Sequence, residues 1–364
     1  MVDPLGFRRL LARETNVSDL LQYLTDRDPT PWAALAPGTV GADREARIGA
    51  TQSADLILRD IEGTATGGVE VKLGYTFDGA QAEAYEKTLD ERIPLLLAGL
   101  DTDAVSAGAA RERWQFVHLS TLVSTWTSSK DTEAAAVACA AARVLTHWDE
   151  TTSAVLEIGG HGAPLAAIQE PFLARVVTRA LETRLHERRE LRTLADVTLG
   201  GGNATLMAFS RIPDERPGRE FIGEIRWSIP KQTMVLRLGL DYPRGSREER
   251  QAVWDAALRM DDVIAADRFI SHVAASTPVI ARTLSSKGAG RPRRKGNWND
   301  IIEKGFESGD AKNYNPGFHR DRDTRFEAMA QVDLSQASGV VVESLLTLGL
   351  DYLAEHWRPA GSQS

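Results

Sequence analysis

Residues 54–85 read ADLILRDIEGTATGGVEVKLGYTFDGAQAEAY. One acid, Asp55, precedes an apolar run of Leu56, Ile57 and Leu58, and a Gly/Thr-rich turn then closes with Gly67 and Gly68. The chain returns as Val69-Glu70-Val71-Lys72-Leu73. Strand side chains alternate faces, so Val69, Val71 and Leu73 point one way while Glu70 and Lys72 share the other. The two runs predict a hairpin of strands over 55–61 and 69–75, with Asp55 brought alongside Glu70. Gln81 and Tyr85 are four residues apart in a segment with helical spacing over 79–91, so both lie on one helix face.

Two carboxylates beside a strand carbonyl form a hard-oxygen donor set of the kind Mg2+ takes while it keeps waters and bridges phosphates. A lysine next to that set can orient or deprotonate an attacking water. A strand with alternating charge is more often the wet side of a half-exposed sheet. What sets this strand apart is its company, Asp55 on the partner strand and the Gln81/Tyr85 face that follows.

Asp55, the triplet Glu70-Val71-Lys72 and the run Gln81-Ala82-Glu83-Ala84-Tyr85 together resemble the PD-(D/E)xK nuclease superfamily, in its RecB-like branch with a Q-x3-Y helix. Ala54 stands where that pattern often has a proline. The resemblance implies an α/β fold with an αβββαβ restriction-endonuclease-like core and a mixed sheet, over residues 1–130. It implies that Asp55 and Glu70 bind Mg2+ or Mn2+, that Lys72 positions the water, and that Gln81 and Tyr85 orient the site. In many members an acid on the first helix reaches the metal, and Glu14 is the candidate here, with Asp19 a weaker competitor. The ordinary alternative for either is a solvated side chain on a helix surface. DNA is the implied substrate, in restriction, phage defence or DNA repair, although the residues themselves leave RNA open.

Periodicity read apart from the motif gives a compatible element order. It predicts a helix or helix pair over 3–26 with a cap or break at 16–18, and a Pro/Gly-rich loop over 28–44. Strands follow near 47–52, 55–61 and 69–75, then a helix over 79–91 and a strand over 94–100. A further strand over 114–123 carries His118, which as a lone strand histidine reads as structural. Helices over 131–148 and 171–194 make a helical extension covering 131–195, the second with the alternating charge of a solvated face. From 196 to 364 an α+β region is expected, in which the alternating runs 205–212, 220–229 and 233–242 suit an antiparallel meander. Glu224 and Arg226 lie in its middle run with no following lysine or Q-x3-Y helix, so a second site of this kind is not expected there. Helix is predicted over 247–260 and over 332–357, the latter apolar enough to dock against another element or a second subunit, making a homo-oligomer.

Composition narrows the function classes. At 364 residues and 42% hydrophobic, the chain can bury one large core or two ordinary ones. A net charge of −8 argues against a protein that coats nucleic acid with its whole surface, but affinity follows the contacting patch. Such a patch exists in the segment 285–298, SSKGAGRPRRKGNW, where Arg291, Arg293, Arg294 and Lys295 suit phosphate contact and Trp298 suits base stacking. A solvated, disordered basic loop over 287–298 is an equally weighted reading. The single cysteine, Cys139, excludes internal disulfides and Cys-based zinc sites, and its Ala-rich surroundings predict a buried helix position. No run resembles a leader or a membrane span, so a cytoplasmic location without a membrane partner is expected. A solute-handling α/β enzyme finds no support, because there is no Walker loop, dinucleotide glycine motif or nucleophile elbow. A nucleic-acid-binding or scaffolding protein with a degenerate nuclease fold is the second reading. Against it, every main motif position carries a chemically competent residue.

Overall fold

The computed structural model describes residues 5–48, 53–74, 77, 79–104, 112–157, 162–189, 191–197, 203–243, 246–287, 310–311, 318–319 and 324–361. The chain is α/β and divides into two compact units, Met1–Ala154 with Phe172–Ala180, and Val155–Pro171 with Leu181–Ser364.

The first unit is built on a mixed five-stranded sheet. Its elements run α1 (Leu5–Leu11), α2 (Glu14–Arg27), β1 (Gly41–Arg47), β2 (Ser53–Arg59), β3 (Ala65–Val71), α3 (Gly79–Thr88), β4 (Leu95–Gly99), β5 (Trp114–His118), α4 (Leu119–Ser124) and α5 (Thr132–Leu156). The strands lie in sequence order, with β1, β2 and β3 antiparallel and β3, β4 and β5 parallel. α2 buries Val17, Leu20, Leu21 and Leu24, the stripe a 3.6-residue period dictates. On the sheet face that carries Glu70, Ile57, Leu95, Leu97 and Trp114 form a core with Ala82 and Tyr85 of α3 and with Leu89 just beyond it. Gly68 lets α3 lie this close. A Cβ there would sit 2.8 Å from Leu89 Cδ1 and 3.1 Å from Tyr85 Cδ1, inside any normal carbon contact.

The second unit holds a six-stranded antiparallel sheet. After α6 (Pro171–Arg189), whose stretch Phe172–Ala180 belongs to the first unit, come β6 (Arg192–Val197), β7 (Asn203–Arg211), β8 (Glu220–Ser228) and β9 (Thr233–Tyr242). The helices α7 (Arg247–Met260), α8 (Ala266–Ser276) and α9 (Pro278–Ala281) follow, then β10 (Leu284–Ser285), a two-stranded pair β11 (Asp310–Ala311) and β12 (Phe318–His319), β13 (Thr324–Val332) and α10 (Gly339–Glu355). The sheet order is β10-β13-β9-β8-β7-β6.

Several boundaries differ from the sequence reading for physical reasons. The first strand begins at Gly41, inside the expected loop, because GADREAR is a charged edge strand with little apolar alternation to reveal it. The break between α1 and α2 lies before Glu14 rather than at 16–18. Asn16 instead donates its Nδ2 to Leu10 O at 2.7 Å, closing the end of α1. The strand over 114–123 stops at His118, and Leu119, Leu122 and Val123 continue as a buried helical stripe. The expected helix over 171–194 ends earlier, at Arg189, and Arg192–Val197 pairs as a strand with β7. Residues 324–332 are a full strand, and the C-terminal helix starts only at Gly339. Cys139 is exposed rather than buried. In a run this rich in alanine no face is distinguished by hydropathy, and the packed face is the one carrying Ala134, Ala138, Ala141 and Leu145.

Candidate active site

Two strand residues, a lysine just past β3, one helix pair and one acid from α2 meet at the end of β3. The last bonded pair of β2 and β3 is Leu56 with Val69, so the next residues, Asp55 and Glu70, stand opposite each other on one face. Asp55 Oδ2 accepts the Val71 amide at 2.8 Å. Lys72, two residues beyond Glu70, keeps its amide on the sheet through Ala98 O at 2.9 Å and turns its ammonium back onto Glu70 Oε1.

The α3 face grips both oxygens of Glu70. Gln81 donates Nε2 to Oε1 at 2.6 Å, and Tyr85 donates its hydroxyl to Oε2 at 2.7 Å. The same hydroxyl accepts the Asp55 amide at 2.9 Å and has Val69 O as an alternative acceptor at 3.1 Å. The four-residue spacing thus serves one purpose, to fix a carboxylate that is only 1% exposed. Glu14, the first residue of α2, arrives from outside the sheet and accepts the Leu73 amide at 2.6 Å through Oε1. Asp19 is elsewhere, exposed and paired with Arg44 at 2.6 Å.

Burial dominates the electrostatics. Glu70 is pushed up to about 7, first by desolvation and then by the charge of Asp55, against the pull of Lys72. Glu14 and Asp55 are raised for the same leading reason. Desolvation works to lower Lys72, but Glu70, Glu14 and Asp55 together outweigh it and hold the ammonium above its ordinary value. Tyr85 is raised well above its usual range by burial and by Glu70, so its hydroxyl is a donor at neutral pH.

Two residues here had no sequence motif. Asp103 follows β4 in a one-turn helix, is buried, and accepts the Gly74 amide at 3.1 and 3.2 Å. Burial pushes it up to about 7 despite those bonds. Its only sequence signal was an acid just past an apolar run, at the carboxyl end of a parallel strand where open α/β sheets gather their sites. Arg175 of α6 donates Nη2 to Leu73 O at 2.9 Å, and nothing local connects it to this loop. Gly74, in the left-handed region at φ 71°, packs against α6, where a Cβ would be 2.7 Å from Val176 Cγ2.

His118, which reads from the sequence as a structural histidine, lies near the same end of the sheet. It ends β5 half exposed, and its Nδ1 pairs with Asp101, whose amide donates to Asp149 Oδ1 at 2.9 Å. The register aligns Gly99 with His118 and Val71 with Ala98. Lys72 and His118 therefore flank Gly99 on the face that bears Glu70.

The donors at this centre are all oxygen, with the carboxylates Glu14, Asp55, Glu70 and Asp103 outnumbering the cations Lys72 and Arg175. That excess of buried negative charge fits a hard divalent ion. Asp55 and Glu70 are the pair that would hold it, with Lys72 released from Glu70 Oε1. The oxygens of Glu14, Asp55 and Glu70 are not all within 4.8 Å of one another. Among the described residues the group that meets that separation is His272, Glu355 and His356.

Glu224 in β8 is part of a different arrangement. It is buried among Arg226, Arg325 at 2.8 Å and Arg237 at 3.5 Å. Burial opposes its charge, but these guanidiniums hold it below the usual carboxylate range. Arg291, Arg293, Arg294, Lys295 and Trp298 lie outside the described residues. No helix among the described residues is long and apolar enough to cross a membrane. No protein-family model, curated protein or solved structure matches this chain.

Proposed function

We propose that the protein is a Mg2+- or Mn2+-dependent nuclease of the PD-(D/E)xK type that hydrolyses phosphodiester bonds, with DNA as its substrate. The observation that carries the reading is the meeting of Asp55, Glu70 and Lys72 with Gln81 and Tyr85 on one sheet face. Gln81 and Tyr85 each take one oxygen of the buried Glu70 carboxylate, which satisfies it and fixes its orientation. The order α2-β1-β2-β3-α3-β4, with an antiparallel meander and a parallel fourth strand, supports the restriction-endonuclease-like core.

Asp55 and Glu70 would hold the ion, and Glu14 would complete its surroundings from α2. The bound ion supplies charge stabilisation at the phosphoryl oxygens and a more acidic water. Lys72, kept protonated in the present arrangement, orients the attacking water and the phosphate by donation. Gln81 and Tyr85 hold the Glu70 carboxylate in one orientation, so no reorganisation is needed as charge develops. His118, steadied by Asp101 across Gly99 from Lys72, suits a second contact with the substrate backbone.

The test is incubation of the purified protein with plasmid DNA, linear DNA and RNA in Mg2+, Mn2+ or EDTA. Cleavage that needs the ion and disappears in Glu70→Gln is expected. Binding of DNA without cleavage under any of these conditions would leave the second reading, a nucleic-acid-binding or scaffolding protein on a degenerate nuclease fold. Restriction, phage defence and repair are the roles in which such an activity would serve.

A further inference from the structure

Away from the carboxylate centre, in the second unit, α8 and the end of α10 bring three metal-ligand side chains together. His272 lies on α8, Glu355 is the last residue of α10, and His356 caps it. One ligand atom from each lies within 4.8 Å of the others. His356 Nδ1 is 3.0 Å from Tyr352 O. A carbonyl can only accept, so Nδ1 carries the proton and the lone pair is left on Nε2. This is the arrangement by which a backbone carbonyl fixes the tautomer of a metal-binding histidine.

The same tyrosine organises both imidazoles. Its ring centroid is 4.6 Å from that of His356 and 4.9 Å from that of His272, while its hydroxyl is anchored on Val263 O at 2.8 Å. Among the described residues, neither the His272 imidazole nor the Glu355 carboxylate has a hydrogen bond or ion pair of its own. Of the two arginines that act on Tyr352, Arg268 and Arg358, Arg358 forks onto Asp262 at 2.9 Å through both terminal nitrogens. Three groups that can each offer a lone pair thus lie within 4.8 Å of one another, an arrangement that a metal ion would bridge.

We infer that His272, Glu355 and His356 bind a divalent ion of the zinc class, which clamps the end of α10 to α8. Two imidazoles and one carboxylate match zinc's preference, with a fourth position left for water. Mg2+ and Ca2+ prefer all-oxygen donor sets and do not compete for imidazole nitrogen. The site is independent of the nuclease reading and shares no residue with it.

Equilibrium dialysis of the full chain against Zn2+ in a large excess of Mg2+ tests this, because the Mg2+ saturates oxygen-only sites. One Zn2+ is expected to be retained per chain. His272→Ala and His356→Ala should each lose it, and exposed Glu355→Gln should weaken it by at least about tenfold. Co2+ substituted into the wild type should give the intense visible bands of a tetrahedral nitrogen-containing site, absent from His272→Ala. Circular dichroism identifies any histidine variant that fails to fold, and Glu355→Gln, at a solvent-exposed position, then carries the test. Zinc retained equally by the folded variants and the wild type overturns the proposal, as does a wild type that retains none.

Discussion

Tyr85→Phe removes one oxygen atom and tests how the candidate centre is held. The ring should stay, because it stacks edge-on against Trp114 with centroids 5.2 Å apart and is fully buried. What goes is the hydroxyl shared by Glu70 Oε2 and the Asp55 amide. The Asp55 amide then loses its acceptor and Glu70 Oε2 its donor, in a site that water scarcely reaches, while Glu70 Oε1 keeps Lys72 and Gln81. A buried polar group left unsatisfied costs about 1–3 kcal/mol, so two of them predict a loss of about 2–4 kcal/mol where they share relief. The chain has two compact units, so a single global transition would blur the effect. Hydrogen exchange of the peptide over β2 reads it locally, and opening there should become roughly 30- to 700-fold more frequent. The Glu70 carboxyl, losing a donor that favours its charged form, should also rise further, so that ion binding at a fixed pH weakens. Exchange within about twofold of the wild type, a change of under ~0.5 kcal/mol, would refute the claim that Tyr85 supports Asp55 and Glu70.

Lys72→Ala should abolish cleavage while leaving DNA affinity and the fold largely intact. Undiminished turnover in gel assays would move the chemistry elsewhere. Asp103 is pushed up to about 7 by burial, so between its unfolded value and about pH 7 the native state holds more protons than the unfolded chain. Stability in EDTA should therefore fall as pH rises through that window. Asp103→Asn should flatten part of the fall in melting temperature, and an unchanged pH profile would count against that burial. The quadruple replacement of Arg291, Arg293, Arg294 and Lys295 by Ala should weaken binding to a short duplex at all sequences. It should also reduce the slope of log affinity against log salt by about 0.9 for each phosphate no longer neutralised. Matching slopes would make that segment a linker.

The hairpin and the side chains that meet on it were legible because they are local. Alternation over Glu70 and Lys72 decides which side chains share a face, and a spacing of four decides that Gln81 and Tyr85 act together. These are consequences of strand and helix period and need no knowledge of the rest of the chain. The antiparallel meander was legible for the same reason, with β9 found at its expected limits. Glu14 could be named only through a resemblance, since its own helix says nothing of where it reaches.

Tertiary structure decided everything that depends on registers and crossings between distant segments. Asp103, His118 and Arg175 come to the rim of the sheet because β3, β4 and β5 run parallel and α6 packs beside Gly74, and no local pattern encodes those meetings. The charged edge strand β1 and the exposure of Cys139 were hidden because hydropathy distinguishes no face in either segment. The grouping of His272 with Glu355 and His356 is likewise a product of helix packing between residues far apart in sequence. A side chain's type is written in the chain, but its partners are set by which surfaces must be buried together.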